Sequence, residues 1–114
     1  MTKQVYIAGP MRGIRDFNFP AFHEAAARLR GLGFVVFNPA EYDEQVYGEG
    51  FNKSETGDLK DIPQFNLRKA LAVDLEFITL HAEVIALLPG WEKSKGALAA
   101  LAAGKAVGCD VMHL

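Results

Sequence analysis

The sequence predicts a single α/β domain over residues 1–114, a Rossmann-like or flavodoxin-like three-layer sandwich around a small, mostly parallel sheet. Three observations predict it. Short β-branched and aromatic runs alternate with stretches of helical period. Most of these segments close on Gly, Pro or Asn. One run, Val84-Ile85-Ala86-Leu87-Leu88, is apolar throughout, as a strand covered on both faces is. Strands alternating with helices imply right-handed crossovers, and therefore parallel pairing.

Each element follows in order. Val5-Tyr6-Ile7-Ala8 is a buried strand ended by Gly9 and Pro10. Over residues 20–32, Phe22, Ala25, Ala26, Leu29 and Leu32 recur at helical spacing, with Asn18 near the start and Gly33 as the stop. Phe34-Val35-Val36-Phe37 is the second strand, stopped by Asn38 and Pro39. From 40 to 63 no period survives, and the segment reads as a mobile lid or insertion. Leu67, Leu71, Asp74 and Ile78 then lie on one face of a helix over residues 65–80. The third strand covers 83–88 and ends at Pro89 and Gly90. Ser94 caps a helix that Gly104 closes near residue 103, and residues 107–112 form the last strand.

Composition narrows the function. The 114 residues (12.5 kDa) are 50% hydrophobic and 23% charged, which excludes a disordered chain. Twelve Lys and Arg against 14 Asp and Glu leave a net charge of −2, which argues against a nucleic-acid polymer as partner. A single cysteine, Cys109, allows no internal disulfide and reads as a core filler. No apolar run approaches the ~18 residues of a membrane span. Residues 1–4 lead straight into a strand without a leader, so the expected location is the cytoplasm.

In open parallel sheets, ligands sit beyond the carboxyl ends of the strands. The loop Gly9-Pro10-Met11-Arg12-Gly13 offers two glycines for close backbone approach and one guanidinium for a phosphate or carboxylate. Asn38-Pro39 follows the second strand. The third loop ends with Ser94-Lys95-Gly96 at a helix start, where free N–H groups favour an anion. The plainer alternative makes the glycines turn residues and Arg12 a surface charge. No Gly-rich dinucleotide or P-loop signature is present, and no cofactor is implied. His23, His81 and His113 have no metal-ligand spacing, so no metal is expected. Asp74 stands on an apolar stripe, where a carboxylate costs desolvation unless it is paired or functional. Tyr6 reads as a core-strand aromatic with its hydroxyl at the edge, and Trp91 as packing for the third loop beside the solvated Glu92.

Together, Tyr6-Ile7-Ala8-Gly9-Pro10-Met11-Arg12-Gly13, Phe17-Asn18-Phe19-Pro20-Ala21-Phe22 and the segment from Leu87 through Trp91 and Ser94 to Ala97 resemble the nucleoside 2-deoxyribosyltransferase-like superfamily. The match is nearest to a small branch common in bacteriophage genomes and extends to the 2′-deoxynucleoside 5′-phosphate N-hydrolases. If the chain is phage-encoded, the location becomes the host cytoplasm. The resemblance implies cleavage or transfer of the N-glycosidic bond of a nucleoside or its 5′-monophosphate, through a glutamate nucleophile and a covalent glycosyl-enzyme. It assigns Tyr6 to orienting the nucleophile and Asp74 to acid/base work. Gly9, Pro10, Met11, Arg12, Gly13, Asn38, Pro39, Trp91, Ser94 and Gly96 go to the substrate. It also implies a homodimer or higher homo-oligomer.

One residue departs from that pattern. Counting from Ser94 and Gly96, the nucleophilic glutamate falls on Ala100. A methyl group cannot attack, so the chain as written is expected to be inactive or a substrate trap. Either the residue was replaced to hold substrate, or the protein is a nucleotide-binding relic that sequesters its ligand, or another carboxylate such as Glu92 acts instead. The expectation is that Ala100 forms the floor of the pocket and that Ala100→Glu restores base release.

Overall fold

The computed structural model describes residues 2–114. Its four strands are β1 (Gln4–Ala8), β2 (Val35–Phe37), β3 (Val84–Leu87) and β4 (Asp110–His113). They pair in the order β2-β1-β3-β4, all parallel, which is the flavodoxin- or Rossmann-like order 2-1-3-4. The helices are α1 (Phe19–Gly31), α2 (Pro39–Tyr47), α3 (Leu67–Leu80) and α4 (Lys95–Ala106).

Strand alternation divides the core in two. Val5, Ile7, Val84 and Ala86 point to one face and meet Phe22, Ala25, Ala26 and Leu29 of α1. Tyr6, Ala8, Ile85 and Leu87 point to the other and meet Ile78 of α3 with Ala97, Ala100 and Leu101 of α4. The chain leaves β1 for β2 on one side and later lays β3 on the other. The loops after β1 and β3 therefore diverge and open a crevice between them.

Local chemistry explains most boundaries. Ser94 caps α4, its Oγ accepting from the Ala97 N–H at 3.1 Å. Asn66 caps α3 by accepting from the Lys69 N–H at 3.0 Å. Two of the expected stops move. Gly104 does not close α4, which continues to Ala106, because that glycine faces the sheet where a Cβ would run into Ile85. The last strand begins at Asp110 rather than 107, since Val107 is the C-cap of α4 and Gly108 turns the chain at φ 86°.

The stretch from 40 to 63 corrects the reading more substantially. It opens with a helix, α2, capped by Asn38, whose Oδ1 accepts from the Ala40 N–H at 3.0 Å. No hydrophobic period announces it because its buried positions are Pro39, Ala40 and a carboxylate, Asp43. Arg30 anchors this region, donating to both Glu41 oxygens at 3.0 Å and to the Val36 carbonyl at 3.1 Å. Beyond α2 the chain is pinned by its aromatic rings. Phe51 packs on Phe19 (5.7 Å), Tyr47 (5.1 Å) and Phe65 (6.2 Å).

Candidate functional site

The crevice holds a cavity of about 700 Å³. Its lining comes from the loop after β1, the start of α4, the first turns of α2, the inner face of α3, and Phe51, Leu59, Ile62 and Phe65 of the connection between α2 and α3. Of the residues singled out in the sequence, Tyr6, Gly9, Pro10, Met11, Arg12, Gly13, Pro39, Asp74, Ser94 and Gly96 all line it. Segments far apart in the chain are thus brought to one space.

The first loop is held by three devices. Gly9 lets the loops after β1 and β3 touch, since a Cβ there would lie 2.7 Å from the Leu88 Cβ. Asn18 does not cap α1 with its side chain. Instead its Nδ2 donates to the Pro10 carbonyl at 2.9 Å. Asp16, Phe17 and Asn18 all take left-handed backbone, with φ of 53°, 56° and 63°. That conformation is strained for a phenylalanine and persists only where the surroundings over-determine it. Here Phe17 is buried in the core and the connection after α2 grips Asp16. Asn52 Nδ2 donates to the Asp16 carbonyl at 2.8 Å, and the Gly13 N–H donates to the Gly57 carbonyl at 3.0 Å.

Two ends of the cavity differ in character. At one, Lys93 and Lys95 flank Ser94, so positive charge meets the N-terminus of a twelve-residue helix, and Arg12 lines the same cavity. At the other, Tyr6, Asp43 and Asp74 form an acidic cluster. The Tyr6 ring stacks on Phe37 at 5.7 Å, which in turn stacks on Phe77 at 4.8 Å, fixing where the phenol points. Burial pushes Asp74 up to about 6, and a hydrogen bond from Tyr6 offsets part of that rise. Burial, then the neighbouring Asp74 and Glu44, push Asp43 up to about 7. The Tyr6 hydroxyl is raised well above its ordinary value by burial and by the adjacent Asp74. Three acidic groups in one low-dielectric place favour proton retention and transfer at neutral pH.

Three expected site residues lie elsewhere. Ala100 is 2% exposed among Tyr6, Ile85 and Leu101 and is not part of the cavity lining, although Ala97 one turn earlier is. The floor is made by Ala97, and a glutamate at 100 would start from inside the packed layer between α4 and the sheet. Asn38 is buried behind the lining, capping α2 and meeting His23 Nδ1 at 3.1 Å. Trp91 packs toward His113, with ring centres 6.1 Å apart. Glu92, the alternative carboxylate, is exposed and outside the lining. Cys109 is only half-buried, its thiol directed to the Ala82 carbonyl at 3.2 Å.

Asp43 is the residue the sequence reading missed, and a signal for it existed. Asn-Pro is a helix start as well as a strand stop. Continuing that helix puts Ala40 and Asp43 on one face, three residues apart. Lys93 and Lys95 were equally legible as neighbours of Ser94. Among the described residues no three His, Cys, Asp or Glu side chains gather as metal ligands, and no helix is long and apolar enough to cross a membrane.

An all-parallel sheet of order 2-1-3-4 with a cleft at its switch point defines the class: a flavodoxin- or Rossmann-like α/β protein with a polar-ended, apolar-walled cavity. The chain belongs to the DUF4406 family, a domain of unknown function whose model matches residues 3–113. No curated protein matches the chain at a significant level.

Proposed function

We propose that this protein binds a nucleoside 5′-monophosphate, or the nucleoside itself, and cleaves its N-glycosidic bond with water. The observation that carries the reading is the two-ended cavity: cations and a helix start at one end, and at the other a Tyr6–Asp74 pair with the phenol buried and the carboxyl half-buried. The phosphate lies against Arg12 and the Ser94–Gly96 turn, the base lies among the apolar walls, and the anomeric carbon falls between them. Asp74 takes the proton of the attacking water. Transfer through a glycosyl-enzyme is disfavoured because position 100 has no nucleophile and is buried.

That same burial favours a second reading, a nucleotide-sequestering protein without turnover. Both readings share the phosphate site, the likeness to the deoxyribosyltransferase-like superfamily, a cytoplasmic setting and assembly with a second copy.

Thermal shift against paired nucleosides and 5′-monophosphates tests the binding. At equal concentration the monophosphate stabilises more, its own contribution reaching ~2.7 kcal/mol at 100 times its dissociation constant, and Arg12→Ala removes the difference. Chromatographic detection of free base then separates the two readings. Release by the natural chain and its loss in Asp74→Asn support hydrolysis, whereas tight binding with no release supports sequestration. Equal shifts for nucleoside and monophosphate remove the phosphate assignment.

A further inference from the structure

Asp43 is 6% exposed, lines the cavity, and takes no hydrogen bond or ion pair from any described residue. A buried carboxyl with no protein partner, facing an open space, is expensive unless a ligand completes it. Its position indicates which part of a ligand that is. The anion-binding turn at 94–96 follows β3, while α2 follows β2, and these two strands flank β1. Asp43 and the cationic end are therefore about two strand spacings apart, ~10 Å. Along a nucleotide the order is phosphate, sugar, base. A ligand whose phosphate is held at the cationic end brings its base, not its anomeric carbon, to Asp43.

We propose that Asp43 is the general acid that protonates the departing base, paired with Asp74 as the base that activates water. This rests on the hydrolytic reading above and gives its chemistry a second carboxyl. As the bond from the anomeric carbon to the base nitrogen breaks, the Asp43 hydroxyl proton passes to a ring nitrogen of the base. The water oxygen bonds to the anomeric carbon, and its proton passes to the Asp74 carboxylate. Net, one water is consumed and free base and sugar phosphate are released. A proton moving from Asp74 back to Asp43 resets the site. Two carboxyls with water between them and no covalent intermediate is the arrangement of inverting glycosidases. It explains how the cavity could work with only a methyl group at position 100.

The surroundings suit this division of labour. Asp43 faces Asp74 from α3 and Tyr6 from β1, with Glu44 beside it on its own helix. Glu44 is itself engaged by His23 Nε2 at 3.0 Å. Burial first, then the Asp74 and Glu44 carboxylates, favour the protonated form of Asp43, which rises to about 7, while burial raises Asp74 to about 6.

The experiment compares leaving groups. Asp43→Asn is assayed on a 2′-deoxynucleoside 5′-monophosphate and on 4-nitrophenyl 2-deoxyribofuranoside 5-phosphate, whose nitrophenolate leaves without a proton. Asp43→Asn slows base release by ~10²–10⁴-fold but leaves nitrophenolate release within a few fold of the natural chain. The alkaline limb of the rate for the natural substrate, falling above about pH 7, is absent for the nitrophenyl substrate. Equal slowing of both substrates, or unchanged base release, overturns the role of Asp43 while leaving the hydrolytic reading intact. A natural chain inert toward both substrates ends the hydrolytic reading and this role with it. Asparagine keeps the size and removes the charge, and a thermal melt confirms the variant is folded.

Discussion

Asp16 and Ser54 bind each other twice. The Asp16 backbone N–H donates to the Ser54 carbonyl at 2.7 Å, and the Ser54 N–H donates to Asp16 Oδ1 at 3.0 Å. The two residues are 38 positions apart, and between them they clamp the connection after α2 onto the strained turn that carries the first ligand loop. Ser54 Oγ extends the clamp, donating to Asp61 Oδ2 at 2.6 Å and accepting from the Gly57 N–H at 2.9 Å. A segment that looks like an insertion in sequence is, in three dimensions, the brace for the site.

Weakening the clamp is expected to loosen the site before it unfolds the protein. Asp16→Ala leaves the Ser54 N–H and Ser54→Ala leaves the Gly57 N–H without its acceptor, at ~1–3 kcal/mol each, while the Asp16 N–H to Ser54 carbonyl bond persists in both. Urea denaturation gives the loss, and limited proteolysis within residues 48–58 accelerates more than the global change accounts for. Wild-type stability and protease resistance in both variants would show that the clamp has no energetic role.

Two glycines predict opposite signs. At Gly104 a Cβ would run into Ile85 Cγ1 and lie 2.9 Å from its Cδ1, and Ile85 is fully buried. Gly104→Ala therefore overpacks the layer between α4 and the sheet, at ~1–3 kcal/mol. Gly31, the last residue of α1, has nothing within 4 Å of such a Cβ, so Gly31→Ala is neutral or stabilising by up to ~1 kcal/mol. Melting temperatures of the two variants moving in the same direction would contradict the packing account.

The acidic cluster sets a pH dependence of folding. Asp43 and Asp74 hold protons in the folded state at pH values where the unfolded chain has released them, with folded values of about 7 and about 6 against an ordinary 3.8. Their contribution is fully present below about pH 4 and is lost as pH rises through 6 and 7. Glu41, held low by its hydrogen bonds from Arg30, works in the opposite direction, so the informative readout is a difference between chains. Asp43→Asn becomes the more stable chain above pH 7, by on the order of 3 kcal/mol, and the gap closes toward pH 4. A gap that does not change between pH 4 and 8 counts against the raised acid.

Assembly is testable on the face of α3 and α4. Leu80 on α3 and Leu98 on α4 remain 67% and 43% exposed, and of the fourteen residues of α3 only Ile78 is buried. A second copy is the proposed cover for this face. Light scattering at tens of micromolar protein gives a mass of at least twice 12.5 kDa, and Leu98→Glu returns it to one chain. A monomeric natural chain removes the proposal.

The outline of this protein was legible one segment at a time. The apolar run at β3, the helical stripe of α1, the Ser94 cap and the glycine-bounded first loop are each encoded within about a dozen neighbouring residues, because caps, turns and amphipathic periods are local properties of the chain. Those signals were enough to predict a parallel α/β sheet and, with the resemblance that added Tyr6, to nominate ten residues that meet in one cavity. Tertiary structure decided what locality cannot carry. The helix α2 buries a carboxylate instead of an apolar stripe, so no hydropathy pattern betrays it, and only its packing beside Tyr6 and Asp74 makes Asp43 a site residue. The grip of Asp16 by Ser54 closes a 38-residue separation that no motif records. Ala100 sits inside the layer between helix and sheet while Ala97, one turn away, faces the cavity, a distinction set by how α4 rotates against β1 and β3. Periodicity nominates which residues share a helix face, but which of them meets open space depends on every element packed around it.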